Sequence, residues 1–343
     1  MIIERAQPEA IENQGSSAAE SRSTDRPPMK DLAGKVAFIT GGDSGIGLGI
    51  ARASINAGMN VVIAYRSQAH LDDALQVLQQ SRDRVLPIKL DVTDRSAMAE
   101  AAKETVRFFG KVHVLINNAG VAPLGPLSKA TFDDWDWCMN VNVNGVFNGI
   151  RAFLPHIQAH NEGGQIVATS SMLGGLLAGG LWGVYSASKF AVVGMMEALR
   201  AELAGTNVGV SVFCPAGVKS NLGASDRNRP EMYADSGTLD HTARASLASF
   251  GNELERIVKE QSDSIMDPVE AGERVIQGIR NNDLYILSHA EYEQLLRERH
   301  DALLASIPML DPPPCAGRIA VAQLSRNPIY IHEATRRSAR AAP

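Results

Sequence analysis

Tyr185-Ser186-Ala187-Ser188-Lys189 sets a phenol and an ammonium four residues apart. The residues that follow, Phe190, Val192, Val193, Met195, Met196 and Leu199, read as a buried helix. On a helix, residues four apart share one face, about 6 Å along the axis. A phenol titrates near ~10 in water, and a neighbouring cation favours the phenolate and lowers that value. The pair can therefore exchange a proton with an alcohol or ketone near neutral pH. Tyrosine and lysine at this spacing are also common as plain surface residues, so the pair gains meaning only from what other segments bring to it.

A hydride carrier is the first thing it needs. Lys35 to Ile39 is a short apolar strand, followed by Thr40-Gly41-Gly42-Asp43-Ser44-Gly45-Ile46-Gly47. A helical pattern then runs through Ile50, Ala51, Ala53 and Ile55 to Gly58, a C-cap. Strand, glycine loop and helix are the setting of a dinucleotide site. Gly41, Gly45 and Gly47 permit a tight turn and close backbone approach to a pyrophosphate at the helix N-terminus, with Ser44 and Ile46 in the same turn. The alternative is an ordinary strand-to-helix turn.

The second strand, Asn60 to Ala64, ends at Tyr65-Arg66. An acid at this place binds the 2′-hydroxyl of NAD, and an arginine accommodates the 2′-phosphate of NADP. Arg66 favours NADP(H); Asp43, close to the same ribose, would repel the phosphate and leaves NAD(H) as the alternative. Arg66 as a solvated surface charge is the remaining reading.

The elements that must position these groups alternate in type. A helix over 71–81 precedes a third strand, Val85 to Leu90, ending at Asp91-Val92. Asp91 either accepts a hydrogen bond from an adenine amino group or caps the next helix, 96–109. Val112 to Ile116 is a fourth strand and runs into Asn117-Asn118-Ala119-Gly120. One long helix is expected from Phe132 to Leu154, broken by Pro155, with the amides of Asn140, Asn142 and Asn144 in an apolar setting where they brace the fold or hold water. Strands at 165–169, 208–213 and 284–288 and helices at 267–280 and 291–305 complete the pattern. Alternation of this kind predicts an α/β, doubly wound parallel sheet with ligands at the strand C-terminal ends.

Composition narrows the function classes. The 343 residues are 45% hydrophobic and 21% charged with a net charge of −5, ordinary globular values for one large domain or two small ones. There is no basic block before Arg336-Arg337, which argues against nucleic acid. Cys138, Cys214 and Cys315 are far apart and the eight histidines are scattered, so neither a disulfide framework nor a metal site is expected. Residues 4–28 contain no apolar run of the secretory kind, and the longest apolar stretch, Leu173 to Tyr185, is too short and glycine-rich to span a bilayer. A cytoplasmic protein without membrane contact is expected. Residues 1–28 read as a disordered extension and 306–343 as an arm or loose tail around a single catalytic domain, 29–305.

Together, Thr40-Gly41-x-x-x-Gly45-Ile46-Gly47, Asp91-Val92, Asn117-Asn118-Ala119-Gly120, Asn142, Ser171 and Tyr185-x-x-x-Lys189 resemble the compact short-chain dehydrogenase/reductase family over about residues 32–290. The resemblance implies a Rossmann fold of seven parallel strands flanked by helices. It implies Tyr185 as general acid/base, Ser171 rather than Ser170 as donor to the substrate oxygen, and Lys189 as the group that lowers the tyrosine pKa and binds the nicotinamide ribose. Asn142, rather than Asn144, would hold a water in the proton relay. Cofactor contacts are implied at Asp91, Val92, Asn118, Ala119, Gly120, Pro215, Val218 and Ser220. Two departures stand out: Pro215-Ala216-Gly217 replaces the family's Pro-Gly, and Ser220 stands where threonine is commoner. The loop from Ser171 to Tyr185 is about one residue longer than usual. Homodimers or homotetramers are implied, paired through the Asn142 and Tyr185 helices. The 282–289 segment and its helix resemble, less specifically, a bacterial subset that includes aryl-alcohol dehydrogenases.

Substrate class is read from Leu173, Leu176, Leu177, Leu181 and Trp182, next to Met172. They form either an apolar pocket wall, suited to a hydrophobic or aromatic ketone or secondary alcohol, or a packing surface for a lid over 221–262 or another subunit. A non-redox enzyme such as an epimerase or dehydratase, and a dinucleotide sensor, are the competing functions; a sensor is expected to lose the tyrosine or lysine, and both are present.

Overall fold

The computed structural model describes residues 29–233, 265–308 and 315–341 and scattered positions between 245 and 260. The expected N-terminal extension, 1–28, lies outside the described residues, as does most of the lid beyond residue 233.

Seven strands form one parallel sheet: β1 (Val36–Thr40), β2 (Asn60–Tyr65), β3 (Val85–Lys89), β4 (Val114–Asn117), β5 (Gly164–Thr169), β6 (Val208–Cys214) and β7 (Tyr285–Leu287). Their spatial order is β3-β2-β1-β4-β5-β6-β7. The reversal of winding between β1 and β4 places the glycine loop and the Asn118 turn side by side at the C-terminal edge, where such folds bind ligands. The central strands are buried on both faces, every residue of β1, β4, β5 and β6 included, which explains why they read as continuous apolar runs. Alternate residues feed two cores. Phe38, Val62, Leu115 and Ile166 face one, with α3 (Arg95–Phe109), α5 (Gly145–Ala159) and α6 (Gly183–Glu202). Ile39, Ile63, Ile116 and Val167 face the other, with α1 (Gly45–Asn56), α2 (Gln68–Val77) and α7 (Pro268–Asn281).

Several boundaries differ from the sequence reading for identifiable reasons. Helix α2 begins at Gln68 because Ser67 accepts from the His70 N–H, and it gives way to a 3₁₀ stretch at Gln79–Arg84. Asp94, not Asp91, caps α3, accepting from the backbone of Ser96 and Ala97, both at 2.9 Å. The long helix expected from Phe132 is divided: α4 (Phe132–Met139) passes through a π turn, Asn140–Asn144, into α5. Pro155 does not break it. Pro155 and Arg151 are both exposed, so the carbonyl left without a partner by the missing N–H faces water. The stretch expected as an arm or tail carries α9 (Ala316–Leu324) and α10 (Pro328–Ala341), after α8 (Glu293–Ala305). No helix among the described residues is long and apolar enough to cross a membrane.

Helices α1 and α7 touch through glycine. A Cβ on Gly49 would lie 1.9 Å from the Pro268 carbonyl oxygen, and one on Gly272 2.4 Å from the Gly49 oxygen. Gly49→Val therefore forces the two helices apart. Urea unfolding should show a loss of about 3 kcal/mol, at the upper end of the range for overpacked cores, and an unchanged midpoint would refute the contact.

Candidate active site

Tyr185 lies on the first turn of α6 and is 4% exposed; Lys189, one turn on, is 3% exposed. The lysine Nζ donates to the Thr169 carbonyl oxygen at 2.8 Å, at the end of β5, and lies 5.7 Å from the phenol ring centre. Ser170 donates to the Lys189 carbonyl oxygen, also at 2.8 Å. Two bonds therefore dock this turn of α6 on the end of β5, and the first of the paired serines serves the backbone. Ser171, the second, has extended backbone and hydrogen-bonds to Tyr185 and to the Leu173 carbonyl oxygen.

The electrostatics run opposite to the simplest expectation. Burial pushes the Tyr185 phenol up to about 12, opposed by the Ser171 hydrogen bond. Burial also pulls Lys189 down to about 8. Desolvation penalises whichever form is charged; at the phenol it outweighs the Ser171 hydrogen bond, while the Lys189 ammonium is directed at the Thr169 carbonyl. At neutral pH the phenol keeps its proton and is a donor.

Asn142 is fully buried in the π turn. Its Oδ1 accepts from the Val121 N–H at 2.9 Å, and its Nδ2 donates to the Val121 carbonyl and to Ser188 Oγ, each at 2.9 Å. A Cβ on Gly120 would sit 3.3 Å from Asn142 Oδ1 and 3.4 Å from Lys189 Nζ, so both polar atoms approach the same small space beside that glycine. Asn144 is exposed and donates to Asn140, which donates in turn to the Tyr233 hydroxyl. Of the three amides, Asn142 alone reaches the tyrosine–lysine turn.

The nucleotide half is built around Thr40. Its Oγ1 accepts from the backbone of Asn118 and Ala119 at 2.9 and 3.0 Å, stitching the glycine loop to the Asn118-Ala119-Gly120 turn. Gly41 has φ +61° and Gly45 φ +49°, and a Cβ on Gly45 would be 3.1 Å from Ser220. Ser44 makes no side-chain cap bond and the first turn of α1, with Gly45, Ile46 and Gly47, carries no acid. The first turn of this helix thus brings no acid of its own to the N–H groups at its positive end, which fits a pyrophosphate. Val92 packs against Gly145, its carbonyl accepting from Asn148. The Pro215 carbonyl holds Met172, and Val218 pairs with Met266.

At the adenosine end, the Gly42 N–H donates to the Ala64 carbonyl and brings Asp43 beside the end of β2. Burial raises the Asp43 carboxyl, opposed by its own backbone N–H, His70 and Arg227. Arg66 donates to the Asn228 carbonyl oxygen at 3.3 Å and lies 3.9 Å from Asp91. His70, Nδ1 3.9 Å from Asp43, had no signal in the sequence beyond its place four residues after Arg66.

The described part of the segment expected as a lid, 221–233, is pinned by contacts that no local pattern reveals. Arg229 pairs with Asp134 at 2.7 Å and stacks over Trp137 at 4.4 Å, and Ser225 accepts from the Ala122 N–H. The expected leucine wall divides. Trp182 lies 5.7 Å from the Tyr185 ring, whereas Met172 and Leu176 line a cleft of about 660 Å³ shared with α8. Gly174 is obligatory: φ is +113° and a Cβ would meet the Tyr185 ring at 2.8 Å. The structure also gathers residues that sequence spacing left unconnected. His113, His160 and Glu162 converge at the opposite sheet edge, but Lys35 and Lys111 hold the carboxylate and backbone groups occupy the imidazoles.

A parallel Rossmann sheet carrying this tyrosine–lysine turn defines a class, and comparison with known proteins agrees. Residues 35–231 match the short chain dehydrogenase family. The C alpha-dehydrogenase of Sphingobium sp. (strain NBRC 103272 / SYK-6) is 36% identical over 297 residues, 86% of this chain and 94% of that protein. The CLA biosynthesis dehydrogenase/reductase of Lactiplantibacillus plantarum is 30% identical over 79% of this chain and 93% of its own length. The crystal structure of a short-chain dehydrogenase/reductase from Burkholderia phymatum in complex with NAD superposes with a TM-score of 0.75 at 32% identity, covering 84% of this chain and 100% of that one. The chain belongs to the short-chain dehydrogenase/reductase family and is an oxidoreductase of that class.

The Lys189 shift has a defined sign. Its folded value, about 8, lies below the ordinary 10.5, so between those values the unfolded chain binds more protons and stability rises with pH; below about 8 the cost of burying the ammonium is complete. Relative to Lys189→Met, the wild type should gain up to about 3 kcal/mol in urea unfolding between pH 8 and 10.5. A difference that stays flat over that range would refute the buried cation.

Proposed function

We propose that this enzyme interconverts a hydrophobic or aromatic ketone and its secondary alcohol, with NADP(H) as the preferred cofactor and NAD(H) as the alternative. The observation that carries this reading is the buried phenol of Tyr185, set beside Ser171 and one helical turn from Lys189. The bound nicotinamide supplies or accepts the hydride. The chain does the rest. Ser171 and Tyr185 hold the substrate oxygen from two donors; in reduction the phenol gives its proton to the oxygen as negative charge grows there, and in oxidation the tyrosine takes that proton back. Lys189, with Asn142 beside it, returns a proton to Tyr185.

For the cofactor, the N–H groups at Gly45, Ile46 and Gly47, with Gly41 and Ser44, would take the pyrophosphate end; Asp43 would lie near the adenosine ribose, and Asp91 and Val92 would take the adenine. Asn118, Ala119, Gly120, Pro215, Val218 and Ser220 would enclose the nicotinamide half, with Lys189 on its ribose. Arg66 would face the 2′-phosphate. Relatives named dehydrogenase and reductase support redox chemistry over an epimerase or dehydratase, and Trp182 beside Tyr185 supports an aromatic or hydrophobic substrate. The enzyme would act in the cytoplasm as a homodimer or homotetramer paired through α5 and α6.

Turnover is read as the absorbance change at 340 nm with NADPH and a panel of aryl ketones. Tyr185→Phe should lower kcat by about 10² to 10⁴-fold while NADPH still binds by fluorescence; equal turnover would remove Tyr185 from the acid/base role. Arg66→Asp should shift the ratio of NADPH to NADH affinity by ~10-fold or more towards NADH, since an acid at this position suits the 2′-hydroxyl. An unchanged ratio would assign Arg66 to the surface.

A further inference from the structure

Strand β5 ends at Thr169, and this one buried residue reaches both halves of the site. In the parallel register of β4 and β5, Asn117 pairs with Ala168. Asn118 and Thr169 therefore stand side by side, one step past the last pair. The Thr169 hydroxyl donates to Asn118 Oδ1 at 3.3 Å, while its carbonyl oxygen accepts from Lys189 Nζ at 2.8 Å.

The Asn118 amide is held from both ends. Its Nδ2 donates to the Thr40 carbonyl oxygen at 3.1 Å and to that of Gly41 at 3.3 Å. Carbonyls only accept, so this end of the amide is the donor and Oδ1 must face Thr169. Among the described residues, the Thr169 hydroxyl is the donor that Oδ1 finds. The amide also lies against the glycine loop. A Cβ on Gly47 would be 2.6 Å from Asn118 Nδ2 and 1.9 Å from the Gly41 oxygen, so loop, amide and the start of α1 are in close contact. A shift at the end of β5 would move that amide and the lysine together.

Resting on the dinucleotide site proposed above, we propose that Thr169 is a positioning residue for the cofactor. Its hydroxyl sets the Asn118 amide against the glycine loop, and its carbonyl sets the Lys189 ammonium. One dinucleotide meets the loop with its pyrophosphate and the lysine with its nicotinamide ribose, so the spacing of the two contacts has to match its length. A residue bonded to both holds that spacing before the ligand arrives, which leaves less to be ordered on binding. The hydroxyl acts through Asn118 and not by contact with the nucleotide.

The test is the affinity of the folded enzyme for NADPH and for NADH, read by nucleotide fluorescence. Valine keeps the branched shape of threonine and suits a strand, but it leaves Asn118 Oδ1 without its donor. Thr169→Val should weaken both nucleotides by about 10-fold, the size of one buried hydrogen bond. The ratio of the two affinities should not move, because β1 and β4 separate Thr169 from Arg66. Thr169→Ser, which keeps the hydroxyl, should restore wild-type affinity. In an Asn118→Ala background Thr169→Val should add nothing, since both changes interrupt one path.

Wild-type affinity in Thr169→Val overturns the proposal, as does a serine variant as weak as the valine one. A loss that adds in full to that of Asn118→Ala overturns it too. A hydroxyl that only braces the strand would lower the urea midpoint and leave the affinity of the folded enzyme unchanged, again against the proposal. Should Thr169→Val fail to fold, Thr169→Ala removes the same hydroxyl and is judged by the same affinities. A wild type that binds neither nucleotide would remove the dinucleotide site itself and Thr169's role with it, a result distinct from tight binding by both wild type and Thr169→Val.

Discussion

The buried ammonium of Lys189 is the constraint around which the site is arranged. A lysine only 3% exposed must have its hydrogens accepted, and the Thr169 carbonyl at 2.8 Å provides for one of them. That carbonyl is available because β5 ends there and the chain turns away through Ser170 and Ser171. Ser170 then ties the Lys189 backbone to the same strand end. The phase of α6 is fixed in this way, and with it the position of the Tyr185 hydroxyl beside Ser171. Gly174 is a consequence: the loop must pass so close to the phenol ring that no side chain fits.

The cost of this arrangement is electrostatic. Desolvation shifts both groups towards their neutral forms, the phenol to about 12 and the amine to about 8. Two groups that are nearly matched when hydrated, at 10.0 and 10.5, are thereby separated, which leaves the phenol as the proton donor and the amine titrating close to neutral pH. A similar tension exists at the adenosine end, where the raised carboxyl of Asp43 lies near His70 and Arg227, while Arg66 is shared between Asn228 and Asp91. Residues 221–233 enter here through the Asn228 carbonyl and through Arg227, so they share contacts with this end of the site.

Much of the fold was legible in the sequence because a parallel sheet buried on both faces requires uninterrupted apolar runs. All seven strands, the glycine loop and the Tyr185 helix could be placed from pattern alone. The errors arose where a local signal competes with context. Pro155 predicts a helix break, yet on the solvent face of α5 its lost hydrogen bond falls to water. Asp91 and Asp94 both precede α3, and only the geometry of the turn selects Asp94. The π turn at Asn140–Asn144 has no sequence signature apart from its three amides, and it decides which of them reaches the site.

The sequence by itself determined the class of sheet, the order of its elements and the residue types offered for proton transfer, since these follow from apolar periodicity and from motifs whose spacing is local. Tertiary structure decided what those residues are worth. The pKa of Tyr185 depends on burial and on its hydrogen bond with Ser171; which amide reaches the Tyr185–Lys189 turn depends on the π turn that precedes α5; the hold of Arg229 on Asp134 and Trp137 joins segments nearly a hundred residues apart. Desolvation and long-range contacts are properties of the packed chain, and no local spacing encodes them.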